Sequence, residues 1–303
     1  MSANTGIKYI SPGSINFFSF GIENLAIAID NPSNEIVART NREINNCSIE
    51  LFTGDRNNNS GFKSRIKSIC DQFLKNNNCS QGILLEIYNK IPADHSLGNL
   101  EANIVASVSA INELESVHLD KNKIFNQICE ISDELNIEIN PVSVATSLFG
   151  GIISYNKNTI KRIEKIFCPK GIFISIFKSE IFDVDKVDQA VIISKEISAD
   201  TVSIINSLQI SDMDIFLQTL QNNNFQKALN RTIPYFDDIR KTSIASGAFG
   251  SGFSKSGGSV IIFYPNTLIK DETNHQLHEI LETNKVRFQR FDAIINLNGA
   301  YKA

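Results

Sequence analysis

The chain has 303 residues, enough for two ordinary domains or one large α/β unit, and 42% of them are hydrophobic against 20% charged. A formal charge of −4 leaves no basic footprint for a nucleic acid, and no apolar run approaches the ~18 residues of a spanning helix, so neither nucleic acid nor membrane is expected as a partner. The five cysteines, Cys47, Cys70, Cys79, Cys129 and Cys168, contain no C-x-x-C pair, which argues against a disulfide framework or thiolate zinc and for inert free thiols.

Taken in chain order, Ile7 to Ile10, Glu35 to Ala38, Cys47 to Phe52 and Gly82 to Tyr88 read as strands separated by turn-rich text. Lys63 to Leu74 has helical period and is stopped by the Asn76 to Asn78 cluster. From Leu100 to Leu114, small and apolar residues cover most of the circumference, which predicts a helix buried on several sides. A further helix is expected over Asn122 to Leu135, then a segment Val144 to Leu148 that ends at Gly150-Gly151. Gly171 to Lys178 is a strand, and 184 to 239 is mostly helical. Ser259 to Tyr264 is another strand, Gln276 to Leu281 a short helix, and Val286 to Ile295 a final strand. Strands, then helices, then strands predict α+β layers. The Asn-rich patches at 57–59, 76–78 and 222–224 read as loops. The N-terminus, Met1-Ser-Ala-Asn-Thr-Gly6, has no basic region leading into an apolar stretch, so the expectation is a soluble cytoplasmic protein.

Three stretches could carry chemistry. Pro92-Ala-Asp-His-Ser-Leu-Gly-Asn-Leu-Glu-Ala102 lies between a strand and the buried helix, where free backbone N–H groups and the helix dipole suit a phosphate. The second is Ile137-Glu-Ile-Asn-Pro-Val-Ser-Val-Ala145, followed by Leu148-Phe-Gly-Gly151. The third is Arg231-Thr-Ile-Pro234 and, thirteen residues on, the Gly/Ser-rich Gly247 to Ser259, which could be an amide cradle for an anion or a plain bulged turn.

In sequence these resemble the motifs of the GHMP small-molecule kinases, and of homoserine kinase in particular. Pro12-Gly-Ser-Ile-Asn-Phe-Phe-Ser-Phe-Gly-Ile-Glu23, with the strand-like Leu25 to Asp30 after it, stands where that family reads P-x-x-S-A-N-x-x-x-G-F-D. Pro92 to Leu114 matches the phosphate loop and its helix without a gap, down to Asn112-Glu113-Leu114. Glu138 to Gly151 meets the E-G-H-P-D-N element, and Gly247 to Ser259 the last glycine-rich loop. The resemblance implies a ribosomal-S5-like N-terminal α/β domain with the nucleotide loop, over 1–165, and a ferredoxin-like C-terminal domain over 166–303. It implies transfer of the ATP γ-phosphoryl group to the homoserine hydroxyl with Mg²⁺, a step of threonine biosynthesis. By matching position, Glu23 orients the substrate hydroxyl and Glu138 is both a catalytic carboxylate and the metal ligand. Arg231 clamps the substrate carboxylate with its two-pronged guanidinium, and Ser143 completes the substrate set with Asn16, which takes the family Asn position when paired single-residue indels are allowed, the ungapped match being Phe17. His95, Ser96, Gly98, Asn99, Lys255 and Gly257 face the nucleotide. The implied partner is homoserine or a similar amino acid or alcohol, and a homodimer is compatible with the reading.

The departures fall on the chemistry. Asp94 and Ser96 stand for loop glycines, Leu100 for the metal-liganding serine, and Asn99 and Glu101 for its neighbours. Asn140, Val142 and Ser143 replace the His, Asp and Asn of the second motif. Two like charges ~4 Å apart repel by roughly 1 kcal/mol in water and about 4 kcal/mol near a protein surface, against about 0.3–1 kcal/mol returned by a helix terminus. Asp94 and Glu101 therefore predict weak triphosphate binding unless they point away. That opens a second reading, an inactive pseudokinase acting as a ligand-binding, regulatory or assembly module, and a third, a kinase with a different substrate. Plain roles compete with these assignments. Glu101 suits a first helical turn, Asp94 or Asn99 a cap, Glu138 a solvated loop and Arg231 a helix end. His275 and His278 suit a solvated face better than half a metal site.

Overall fold

The computed structural model describes residues 6–16, 25–54, 60–92, 97–155, 162–166, 171–182, 233–254 and 259–303, with scattered positions between 206 and 230. Two sheets organise them. The first contains β1 (Ile7–Asn16), β2 (Leu25–Asn41), β3 (Cys47–Thr53), β4 (Gly82–Tyr88), β5 (Ile152–Tyr155), β6 (Ile163–Ile166) and β11 (Tyr301–Lys302). Its main path is β11-β1-β2-β4-β3, and β5 joins β2 to β6. The second contains β7 (Phe173–Lys178), β8 (Gly250–Ser254), β9 (Ser259–Tyr264) and β10 (Gln289–Ile294) in the order β10-β7-β9-β8. All of its pairings are antiparallel. In chain order its strands lie fourth, first, third, second.

Helices α1 (Ser60–Asn76), α2 (Asn99–Leu114), α3 (Lys121–Glu134) and α4 (Pro141–Phe149) precede the second sheet, while α5 (Phe236–Ala245) and α6 (Thr267–Thr283) belong to it. The small residues Ala102, Ala106 and Ala110 recur every four positions along α2, and twelve of its residues are buried. Ile104, Val105, Val108 and Ile111 enter one core with Ile36, Ile83, Leu85 and Ile87 of the sheet and with α1, α3 and α4. The last turn of α2 is anchored by side chains. Asn112 both donates to and accepts from the backbone of Leu119 (3.2 and 2.9 Å), and Glu113 accepts from Tyr9 at 2.8 Å and pairs with Lys302. The matched Asn112-Glu113 pair thus ties the helix end to the turn before α3 and to the returning β11.

β2 changes neighbours along its length, pairing β5 through Leu25–Ile27 and β4 through Glu35–Asn41. Between these stretches the register with β1 shifts, and the extra residues of β2 face the second sheet. Asp30 accepts from the Ile294 N–H at 2.8 Å, and Asn31 donates to the Asp292 carbonyl at 2.9 Å. Beneath this joint Ile15, Leu25, Ile27 and Ile29 share a core with Ile174, Ile176, Ile261, Phe263 and Ile295. The outer face of the second sheet is covered by α5 and α6 through Phe177, Phe236, Phe253, Leu277 and Leu281.

Several expectations need adjustment. The late helix runs over Thr267–Thr283, capped where Asn266 accepts from Ile269 N–H at 2.9 Å. Its first turns leave Leu268 81% exposed and bury the polar Thr273 and Asn274, so they carry no apolar period. The final strand begins at Gln289, because Lys285 has φ +57° and ends the preceding turn. The Val144 segment is a helix started by Asn140, whose side chain accepts from Val142 N–H. Within Gly247–Ser259 the first residues form a turn, Gly250–Ser254 is β8 and Ser259 opens β9, and their pairing overrides the poor strand propensity of glycine. The helical expectation over 184–239 falls largely outside the described residues, except at the start of α5. Among the described residues no helix is long and apolar enough to cross a membrane.

Candidate functional site

The end of β1 and the starts of α2 and α4 meet at one place. Ser14 N–H donates to the Leu97 carbonyl at 2.9 Å, which holds the strand against the loop entering α2. Gly98 is the N-cap of α2 at φ +68°, and a Cβ there would lie 2.2 Å from Ser14 Oγ. The left-handed conformation therefore favours glycine at 98, and a larger residue would also have to displace the Ser14 hydroxyl. No side chain caps α2, and Asn99 is its first helical residue, so the expected capping by Asn99 is not what the structure has.

Asn99 instead joins a buried amide network. Its Oδ1 accepts from Asn34 Nδ2 at 2.7 Å and from Asn103 Nδ2 at 3.1 Å, and Asn103 Nδ2 also reaches Asn89 Oδ1 at 3.0 Å. Asn34 Oδ1 in turn accepts from the backbone N–H groups of Lys90 and Ile91, both at 2.9 Å. The network thus fixes the exit of β4 and the first turn of α2 to one side chain of β2. Isolated asparagines at 34, 89, 99 and 103 show no periodic or clustered signal, so the sequence alone could not reveal it. Among the described residues, four polar atoms of this region have no partner: Ser14 Oγ, Asn89 Nδ2, Asn99 Nδ2 and Asn103 Oδ1. Asn99 is 5% exposed and Ser14 0%. Buried polar atoms left unpaired cost roughly 1–3 kcal/mol each.

α4 closes the site from the other side. Ser143 Oγ, one turn into the helix, donates to Asn16 Oδ1 at 3.1 Å, and Ser147 Oγ donates to the Pro12 carbonyl at the same distance. The two residues matched to substrate positions, Asn16 and Ser143, are therefore in contact. Glu101, in the first turn of α2, turns its Oε1 to the Asn140 N–H at 2.9 Å and so ties the starts of the two helices together. Burial pushes its carboxyl above the usual range, while the Asn140 amide, its own backbone N–H and Arg65 pull the other way. Its carboxylate, on a half-buried residue, is engaged by α4 rather than left free as a first-turn carboxylate would be.

A folded-state pKa raised above the unfolded value means that the native protein binds more protons in the intervening window. Glu101 therefore contributes most stability below about pH 4.5, and that contribution is lost as pH rises through its folded pKa. Relative to wild type, Glu101→Gln should gain stability steadily from about pH 4.5 upward. Urea midpoints of the two proteins at several pH values measure this, and a constant difference would refute it.

Glu138 is exposed, two residues before the α4 cap, and it is Asn140 that caps the helix. Among the described residues no group of three His, Cys, Asp or Glu is placed to hold a metal. His275 and His278 face Glu279 and Glu282 one turn on along α6, as a solvated face would. Glu23, His95, Ser96, Arg231, Lys255 and Gly257, and Asp94 with them, lie outside the described residues.

A fold with these paired helix starts between a mixed and an antiparallel sheet is that of the GHMP small-molecule kinases. The structure superposes on a homoserine kinase from Cytophaga hutchinsonii with a TM-score of 0.86 at 21% identity, covering 100% of this chain and 99% of the other. It superposes on a mevalonate kinase from Methanococcus jannaschii with a TM-score of 0.70 at 18% identity, over 97% and 99% of the two chains. In sequence the particular resemblance is to homoserine kinase. The Thermoplasma volcanium enzyme of that name is 24% identical over 283 residues, 90% of this chain and 88% of its own. No family model matches the chain.

Proposed function

We propose that this protein is a small-molecule kinase that uses ATP and Mg²⁺ to phosphorylate the hydroxyl of homoserine or a closely similar amino-acid alcohol. The observation that carries this reading is the contact of Asn16 with Ser143, which brings the first and second motif segments together. Phosphoryl transfer asks a protein mainly for positioning and charge neutralisation. In our reading Arg231 clamps the substrate carboxylate, Glu23 orients the hydroxyl, and Asn16 and Ser143 hold the remaining polar groups. His95, Ser96, Gly98, Asn99, Lys255 and Gly257 line the nucleotide side. The unpaired Ser14 Oγ and Asn99 Nδ2 suit a phosphate-bearing ligand. The metal fits less well, since Leu100 offers no ligand where a serine is expected and Glu138 is the one carboxylate we assign to it. The chain divides, in this reading, near residue 165 into a nucleotide unit and a ferredoxin-like unit.

One observation favours the second reading, an inactive relative that binds a small molecule or serves assembly. Leu100, which stands for the metal-liganding serine, is 8% exposed and Glu101 is committed to Asn140, so neither of these adjacent residues presents a small hydroxyl at the helix start. Calorimetric titration with Mg-ATP, then homoserine, followed by an ADP-release assay, separates the two. We expect saturable Mg-ATP heat and ADP release that depends on homoserine. Binding of the amino acid with no response to nucleotide would replace the kinase reading by the inactive one.

A further inference from the structure

The spacing of the cysteines suggests inert thiols, but the fold brings two of them together. Cys47 opens β3, and Cys70 lies in the second half of α1. Both are 0% exposed, neither is in a disulfide, and both belong to the core beneath the first sheet. Their thiols share a hydrogen bond, which together with burial holds the Cys70 thiol well above its ordinary range. The backbone is tied at the same point. Asp71, the residue after Cys70, accepts from the Cys47 N–H through Oδ1 at 2.6 Å, and its carboxylate also opposes ionisation of Cys70.

The pair matters because of where β3 lies. The first sheet ends at β3, whose strand neighbour among the described residues is β4, paired in parallel. That ladder is broken by a register shift between Ile49 and Leu51, and Glu50, Leu51 and Thr53 are exposed. An edge strand with an interrupted ladder has few bonds to lose and belongs to the segments of a fold that open first. At its start β3 is held to α1 by the Asp71 contact and the two thiols. While it is closed, neither sulfur meets solvent and Cys70 stays protonated, so thiol chemistry there waits on opening.

We propose that Cys47 and Cys70 are a disulfide-forming site, oxidised by a peroxide when β3 opens, and that the bond staples the edge strand to α1. One thiolate attacks a peroxide oxygen, giving a sulfenic acid and hydroxide, and the hydroxide takes up the thiol proton to leave as water. The second thiol then displaces water from the sulfenic sulfur and forms the S–S bond. In sum two thiols and one hydrogen peroxide become one disulfide and two waters, the two electrons passing from sulfur to peroxide oxygen. A dithiol reverses the step by exchange. A bond from 47 to 70 closes a loop that the unfolded chain would otherwise sample freely, so the oxidised form is the more stable one. The site is independent of the kinase reading.

The test is a thiol count and a melt before and after exposure of the native protein to hydrogen peroxide. The chain has five cysteines, so the denatured protein should titrate five thiols before treatment and, with two joined, three after it. A non-reducing peptide map should join the peptides of Cys47 and Cys70. The melting temperature should rise by about 5 °C or more, and dithiothreitol should restore both the five thiols and the original melt. Thiol loss should quicken in urea too dilute to unfold the protein, as opening of the edge requires. Cys70→Ser should abolish the rise, whereas Cys79→Ser, which removes a half-buried thiol outside the pair, should keep it. Five thiols after treatment, a link through any other cysteine, or a sulfinic acid in place of the link would overturn the proposal. A Cys47–Cys70 link that leaves the melt unchanged would overturn the staple. Should Cys70→Ser fold poorly, the peptide map and thiol count of the wild type decide alone.

Discussion

Gly150→Ala should destabilise the protein by about 3 kcal/mol or more, read as a shifted urea midpoint. Gly150 closes α4 at φ +69°, ψ 174°, a conformation essentially reserved for glycine. A Cβ there would lie 2.3 Å from the Gly299 backbone nitrogen and 2.7 Å from that of Asn298, and neither is the yielding end of a side chain. The loop it would push against cannot retreat cheaply. Gly151 N–H donates to Asn296 O at 2.6 Å, and Ala300 N–H to Ser147 O at 2.7 Å. Lys121 Nζ bridges the Leu148 and Asn298 carbonyls, and Lys165 Nζ those of Phe149 and Leu297. Gly171→Ala is the control, because it has φ +84° but nothing within 4 Å of the added carbon. Its cost should be only the left-handed strain, about 1–2 kcal/mol. Equal effects at the two glycines would show that the α4 joint is not the rigid contact described.

Phe263→Ala should cost about 3–5 kcal/mol and lower the melting temperature by on the order of 10 °C. Phe263 is 1% exposed and lies on β9 of the second sheet, yet its core includes Ile15, Leu25, Ile27 and Ile29 of the first. A cavity there removes contacts from both sheets at once. The expected melt is therefore a single transition at lower temperature, followed in parallel by far-UV circular dichroism and by hydrogen exchange in β2 and β7. If β7 lost protection while β2 kept its own, the two sheets would be separate folding units and the shared core would count for little.

Much of the site's framework was legible in the residues. The apolar periodicity of 100–114 gave the buried helix, and the polar text before it gave a helix start exposed to a ligand. Gly98 could be singled out as well, although its need for a positive φ and for space beside Ser14 is a fact of the folded chain. The tie from Glu101 to Asn140 was not legible. Thirty-nine positions separate them, and a glutamate in a first helical turn satisfies the dipole rule whichever way its side chain points. The electrostatic argument against triphosphate needed that direction. With Glu101 engaged by α4, its charge is held in place but is still beside the helix start, while Asp94 lies outside the described residues.

The sequence by itself determined the order of the longer strands and helices, the apolar faces and the succession of motifs, because these depend on neighbours within a few turns or strand repeats, whereas the short strands β5, β6, β8 and β11 were not legible in it. Only the tertiary structure decided that β2 serves two partners across one bulge, that the sheets share a core, and that Asn16 touches Ser143. Each of these joins segments distant along the chain. Isolated polar side chains such as Asn34, Ser14 and Glu101 carry no local signature of their partners, since a hydrogen bond constrains two atoms in space and nothing about the residues that lie between them in sequence.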